Sequence, residues 1–108
     1  MKQFLENFSL EGKKAIVTGG AKGLCNQMAN ALHEAGAEVL LLDVLDLVSD
    51  SAKEMGCNGA PVHAVKGDLS DFENLESVYT ECLDKLGGRV DILLNGAGIQ
   101  YRCPAVDF

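Results

Sequence analysis

Thr18-Gly19-Gly20-Ala21-Lys22-Gly23-Leu24-Cys25 lies between an apolar run, Ala15 to Val17, and a segment whose apolar residues recur at helical spacing. A strand, a glycine-rich turn and a helix, in that order, make a receptor for phosphate. The glycines let the backbone take conformations that a Cβ forbids, and they leave bare backbone for a diphosphate to lie against. N–H groups at the helix start then face the anion, and the helix dipole favours negative charge there. A second apolar run, Val39 to Leu42, ends in Asp43, 24 residues beyond Gly19, about where an acid that binds an adenosine ribose diol belongs. A carboxylate at that place is either this ribose acceptor or a helix or turn cap. As a ribose acceptor it would also repel a 2′-phosphate, which favours NAD over NADP.

Such residues need a parallel sheet to hold them. Lys14 to Thr18 reads as a short buried strand that follows a break at Gly12. Leu24, Met28, Ala31, Leu32 and Ala35 then recur at helical spacing up to Gly36, so this stripe should face the sheet, with His33 off it and solvated. Val39 to Leu42 is apolar without alternation, as suits a parallel strand covered on both faces. A short helix over Val48 to Met55 stops at Gly56, and Val62 to Gly67 makes a third strand leading to Asp68-Leu69. Ser70 and Glu73 have capping-box spacing, and Leu75, Val78, Tyr79, Cys82, Leu83 and Leu86 share one helical face. Tyr79 and Cys82 are therefore expected in the core. Asp91 to Asn95 is the fourth strand, and it runs into Gly96-Ala97-Gly98, small residues where a larger side chain would fill the ribose and adenine volume. Asn95 could tie neighbouring strands through its amide. Alternating strands and helices with right-handed crossovers predict an α/β fold: a Rossmann-like open parallel sheet of four strands in order 3-2-1-4 with flanking helices, half of a doubly wound domain.

Taken together, Thr18-Gly19-x-x-x-Gly23, Asp43, Asp68-Leu69 and Asn95-Gly96-Ala97-Gly98 resemble the short-chain dehydrogenase/reductase family, over about Phe8 to the last residue. The resemblance implies an NAD(P)-dependent oxidoreductase. Its cofactor-binding residues would be Thr18, Gly19, Lys22, Gly23, Leu24, Asp43, Asp68, Leu69, Asn95, Ala97 and Gly98, with Asp68 near the adenine amino group and Leu69 against the ring face. A basic residue in the family's glycine loop can accompany NADP preference, so Lys22 pulls mildly against the NAD reading set by Asp43. Two positions depart from the pattern: Cys25 stands where a third glycine is usual, and Gly96 where a second asparagine is usual. The side chain of Cys25 is expected to crowd either the diphosphate or the helix–strand contact. Segments 8–13 and 95–108 look like members that act on gluconate and deoxygluconate-type sugar acids.

The family's catalytic serine and its Tyr-x-x-x-Lys pair have no counterpart. Leu83 lies four residues after Tyr79, Ala105 lies four after Tyr101, and no serine follows Ser77. Residues 1–108 therefore read as a single, partial dinucleotide-binding domain with no catalytic residue of its own. Three function classes stay open: the cofactor-binding half of an oxidoreductase, a non-catalytic nucleotide-binding or assembly module, and a structural domain with a vestigial loop. Strand 91–95 is an apolar edge without Lys, Pro or a bulge, which predicts a homodimer or larger assembly joined there.

Composition narrows the remaining choices. With 47% hydrophobic and 23% charged residues the chain reads as a globular domain. A formal charge of -7, from 16 acids against 9 bases, opposes a nucleic-acid or anionic-membrane surface, since both need clustered Lys and Arg. Cys25, Cys57, Cys82 and Cys103 show neither metal-ligand spacing nor a disulfide framework, which predicts reduced thiols, no metal and a cytoplasmic protein. The first ten residues carry one Lys and no long apolar run, and no stretch is long enough to span a bilayer.

Overall fold

A computed structural model describes residues 6–97. Along them run β1 (Lys14–Thr18), α1 (Gly23–Glu34), β2 (Glu38–Asp43), α2 (Val48–Met55), β3 (Val62–Lys66), α3 (Leu75–Lys85) and β4 (Ile92–Asn95). The four strands form one sheet in the order β3-β2-β1-β4, as predicted, and every pairing is parallel. Because side chains alternate across a strand, each strand serves two cores. Ala15, Val17, Val39 and Leu41 point to the face covered by α1 and α2, where Ala29, Val48 and Ala52 meet them. Ile16, Leu40, Leu42 and Val65 point to the other face, against Cys82 of α3 and Leu86 at its C-cap. β2 is the centre of the molecule: Val39 through Leu42 are all buried, each worth about 1.5–3 kcal/mol of burial.

The helices are where sequence and structure part. Helix α1 is rotated relative to the predicted stripe. Leu32 packs against the first core as expected, but Cys25 and Ala29, off that stripe, join it there, whereas Leu24 is 68% and Met28 38% exposed. His33, expected in solvent, is buried, and its Nε2–H donates to the Ala60 carbonyl at 2.8 Å. Small side chains at 25 and 29 let this helix sit close to the sheet, and the ring of His33 stays satisfied because it has a backbone acceptor to meet. The capping box does not form. Ser70 is engaged by Asp68 instead, and successive turns, Asp71 N to Asp68 O and Asn74 N to Asp71 O, delay the start of α3 to Leu75.

Cys82 is in the core as predicted, but Tyr79 is not: it is exposed, together with Phe72 and Leu75. These residues flank an apolar cleft of about 690 Å³ lined also by Ile16, Leu42 and Leu93, because α3 packs mainly against β3 and leaves Leu93 of β4 uncovered. Leu93 of β4 is 58% exposed on that face. Among the described residues no helix is long and apolar enough to cross a membrane, and no group of three or more His, Cys, Asp or Glu could hold a metal ion.

Candidate functional site

All four strands end on one side of the sheet, and β1 is where the strand order reverses: β2 and β3 lie to one side of it and β4 to the other. The crevice outside such a reversal is where open α/β sheets bind ligands. A cleft of about 770 Å³ opens there, lined by the turn after every strand: Gly19, Lys22 and Gly23 after β1, Asp43, Val44 and Leu45 at β2, Gly67 through Ser70 after β3, and Gly96 and Ala97 after β4.

The glycine loop is built before any ligand arrives. The Gly19 N–H donates to the Leu42 carbonyl at 2.8 Å, so the turn leaves β1 still attached to β2. Ala21 is gripped from both ends: its N–H donates to Asp43 Oδ2 at 3.0 Å, and its carbonyl accepts the Ser51 hydroxyl at 2.5 Å. Asn26 adds a bond from Nδ2 to the Gly20 carbonyl at 3.0 Å. Gly19 has φ of +70°, and a Cβ there would stand 3.1 Å from the backbone of Gly96 and Ala97. A side chain would thus be strained and would close the space between the two turns. Helix α1 opens on the cleft with Lys22 at its N-cap, without a side-chain cap and without an acid in its first turn. Its free N–H groups and positive dipole end are left for an external anion.

Across the cleft, Thr18 joins β1 to β4. Its Oγ1 accepts the N–H groups of Gly96 at 2.9 Å and Ala97 at 3.1 Å, and its hydroxyl points to the Leu94 carbonyl at 3.4 Å. Among the described residues this tie is made by Thr18 and not by Asn95. Asp43 acts as a turn cap, since Oδ1 accepts the Leu45 N–H at 3.2 Å while Oδ2 holds Ala21. Asp68 Oδ1 accepts both the N–H and the hydroxyl of Ser70, and these bonds hold its carboxyl below the usual carboxylate range. Two acids and one base, Lys22, therefore line the cleft.

Seven of the eleven residues picked from sequence meet here: Gly19, Lys22, Gly23, Asp43, Asp68, Leu69 and Ala97. Thr18 and Asn95 line the adjoining apolar cleft, Leu24 lines neither, and Gly98 lies outside the described residues. Sequence reasoning missed Ser51 and Asn26, which carry no motif; only their hydrogen bonds to the loop mark them. Cys25, expected to crowd either the diphosphate or the helix–strand contact, is not among the residues lining the cleft, and its Sγ lies against Gly96 just after β4, on the helix–strand side.

Comparison with known proteins agrees with this geometry. The pattern of the short chain dehydrogenase family matches residues 13–108. An NAD-dependent glycerol dehydrogenase of Listeria innocua is 38% identical over 106 residues, which cover 98% of this chain and 41% of the relative. A 2-keto-3-deoxy-D-gluconate dehydrogenase of Streptococcus agalactiae superposes with a TM-score of 0.74 at 34% identity, covering 100% of this chain and 41% of that one. The RhlG/NADP active-site complex of Pseudomonas aeruginosa does so with a TM-score of 0.75 at 36% identity, over 85% and 37% of the two chains. The chain belongs to the short-chain dehydrogenase family of oxidoreductases, and it spans about two fifths of the length of these relatives.

Proposed function

We propose that residues 1–108 form a single, partial dinucleotide-binding domain, the cofactor-binding half of an NAD-dependent oxidoreductase that in intact form acts on a sugar acid or another secondary alcohol or ketone. The observation that carries this reading is the cleft at the ends of all four strands, with an uncapped helix N-terminus at one side and the Asp43 carboxylate beside it. Small residues line the cleft at Gly19, Gly23, Gly96 and Ala97, and the space beside Gly23 at the helix start is open for 4 Å, so the residues present fit the group. Bound there, the dinucleotide would accept or supply hydride; Gly19 through Gly23 would hold its diphosphate, Asp43 its ribose diol, and Asp68 and Leu69 its adenine. An acid at the end of β2 supports NAD over NADP, because a 2′-phosphate would meet a carboxylate. The substrate class is supported by relatives that act on glycerol and on 2-keto-3-deoxygluconate. Free thiols at Cys25, Cys57 and Cys82 support a reducing compartment such as the cytoplasm.

Titration calorimetry with NAD and NADP tests the binding half of the reading: NAD should bind, and NADP more weakly. Absence of heat with both dinucleotides would overturn it. Hydride transfer is expected only when a second polypeptide, or a longer chain, supplies the serine and the Tyr-x-x-x-Lys pair. A non-catalytic assembly module is the second reading, and the bare apolar edge at β4 favours it; turnover in the completed protein would exclude it.

A further inference from the structure

Cys25 and Gly96 lie 71 positions apart in sequence and meet where the start of α1 packs against the turn after β4. A Cβ added to Gly96 would overlap Cys25 Sγ, stand 3.2 Å from Cys25 Cβ, and stand 2.8 Å from the Thr18 carbonyl oxygen. The thiol occupies the space that a side chain at 96 would need. Gly96 and Ala97 are held from the other side by Thr18, whose Oγ1 takes both of their N–H groups. Cys25 is partly buried and also packs against the core under α1, so moving the sulfur away from Gly96 would disturb that packing. We infer that Cys25 and Gly96 are one size-matched pair, and that Cys25 is a positioning residue which seats the turn after β4 against the glycine loop. The two departures from the family pattern are then a single exchange: bulk has moved from the β4 turn to the first turn of α1. Cys25 thus supports the cleft instead of obstructing it.

The role assigned to the turn rests on the reading of the cleft as a dinucleotide site, but the test does not. Amide hydrogen exchange at Gly96 and Ala97 is followed in the unliganded chain, in Cys25→Ala, in Gly96→Ala and in the double variant. Alanine is a better helix former than cysteine, so the first variant removes the sulfur without weakening α1 intrinsically. Gly96→Ala should speed exchange at Ala97 at least tenfold in the native background. In the Cys25→Ala background the same change should speed it less than threefold. The Thr18 carbonyl contact is present in both backgrounds and cancels from the comparison. Equal increments in the two backgrounds would overturn the inference. Should Gly96→Ala fail to fold, Cys25→Ala against Cys25→Ser decides: the isosteric serine should keep native exchange at 96 and 97, alanine should speed it severalfold, and native exchange in both would refute the pairing. If NAD binds the native chain, its Kd should rise in the same order as the exchange rates; a chain that binds no NAD leaves the exchange result standing.

Discussion

Asp43 Oδ2 accepts the backbone N–H of Ala21 at 3.0 Å, so the acid at the end of β2 holds the glycine loop at the end of β1. The turn-cap and ribose-acceptor roles do not exclude each other, because each carboxylate oxygen keeps a lone pair beyond its bond to Ala21 or Leu45. Substituting alanine therefore confounds two effects. Asp43→Ala should cost about 1–3 kcal/mol of stability through the orphaned N–H groups. Asp43→Asn keeps one acceptor oxygen and should cost less, while still removing the charge. Both variants should lower the NAD to NADP affinity ratio by about tenfold, the equivalent of about 1.4 kcal/mol. Calorimetric Kd values alongside thermal midpoints separate the two; an unchanged ratio in Asp43→Asn would leave Lys22 as the group that sets cofactor choice.

Ser51 holds the other end of Ala21 from helix α2, with no sequence motif to announce it. Ser51→Ala leaves the Ala21 carbonyl without that donor and should cost about 1 kcal/mol of stability. Dinucleotide affinity should fall further than stability alone predicts, since a loosened loop must be ordered again on binding. Chemical denaturation gives the first quantity and titration the second. Loss of stability with full affinity would reduce Ser51 to a packing role.

The split between what was legible in the sequence and what was not follows from the range of the forces. Strand bounds came close because β1 and β2 are continuous apolar runs buried on both faces, a pattern that needs no partner to be read. The sheet order followed from the alternation of strands and helices. Helix α1 departs from its expected phase because Leu24 and Met28 are apolar yet exposed, while Ala29 and His33 are buried and Cys25 is partly buried. What decides that phase is tertiary: a helix that carries small residues toward the sheet, and a carbonyl at Ala60 that satisfies an imidazole. The Asp68–Ser70 bond likewise overrode a local capping signal. Hydrogen bonds from Ser51 and Asn26 depend on how α1 and α2 sit over the sheet, so no spacing rule could have found them.

Cys82 gives a pH-dependent prediction. Burial, with Glu81 nearby, pushes its thiol from the ordinary 9.0 up to about 11. Above pH 9 the unfolded chain therefore loses this proton while the folded chain keeps it. Fewer protons on the unfolded state means that stability falls as pH rises, and the loss accrues between about 9 and 11. Urea midpoints of Cys82→Ala and the native chain should converge across that window. At neutral pH an alkylating reagent should modify exposed Cys57 readily and Cys82 only as fast as the chain opens, which mass spectrometry of peptides reads directly.

Both cores run out at β4. On one face Leu93 is exposed in the cleft it shares with Phe72, Leu75 and Tyr79; on the other Ile92 and Leu94 are only partly covered. The strand pairs with β1 on one side, and among the described residues its other side pairs with no strand. Such an edge offers backbone donors and acceptors flanked by apolar side chains, which is the arrangement that recruits another strand. In the 108-residue chain a second copy is the expected partner. Two β4 strands meeting antiparallel about a twofold axis would form a closed, eight-stranded sheet. A charge of -7 on each copy opposes that approach, so association should strengthen as salt shortens the screening length toward about 10 Å at 0.1 M. Sedimentation at micromolar concentration should therefore give a dimer that tightens with salt and that Leu93→Lys dissociates, with amides 92–94 exchanging slowly in the native chain and quickly in the variant. A folded monomer at every salt concentration, with those amides already fast, would show that the edge is tolerated bare.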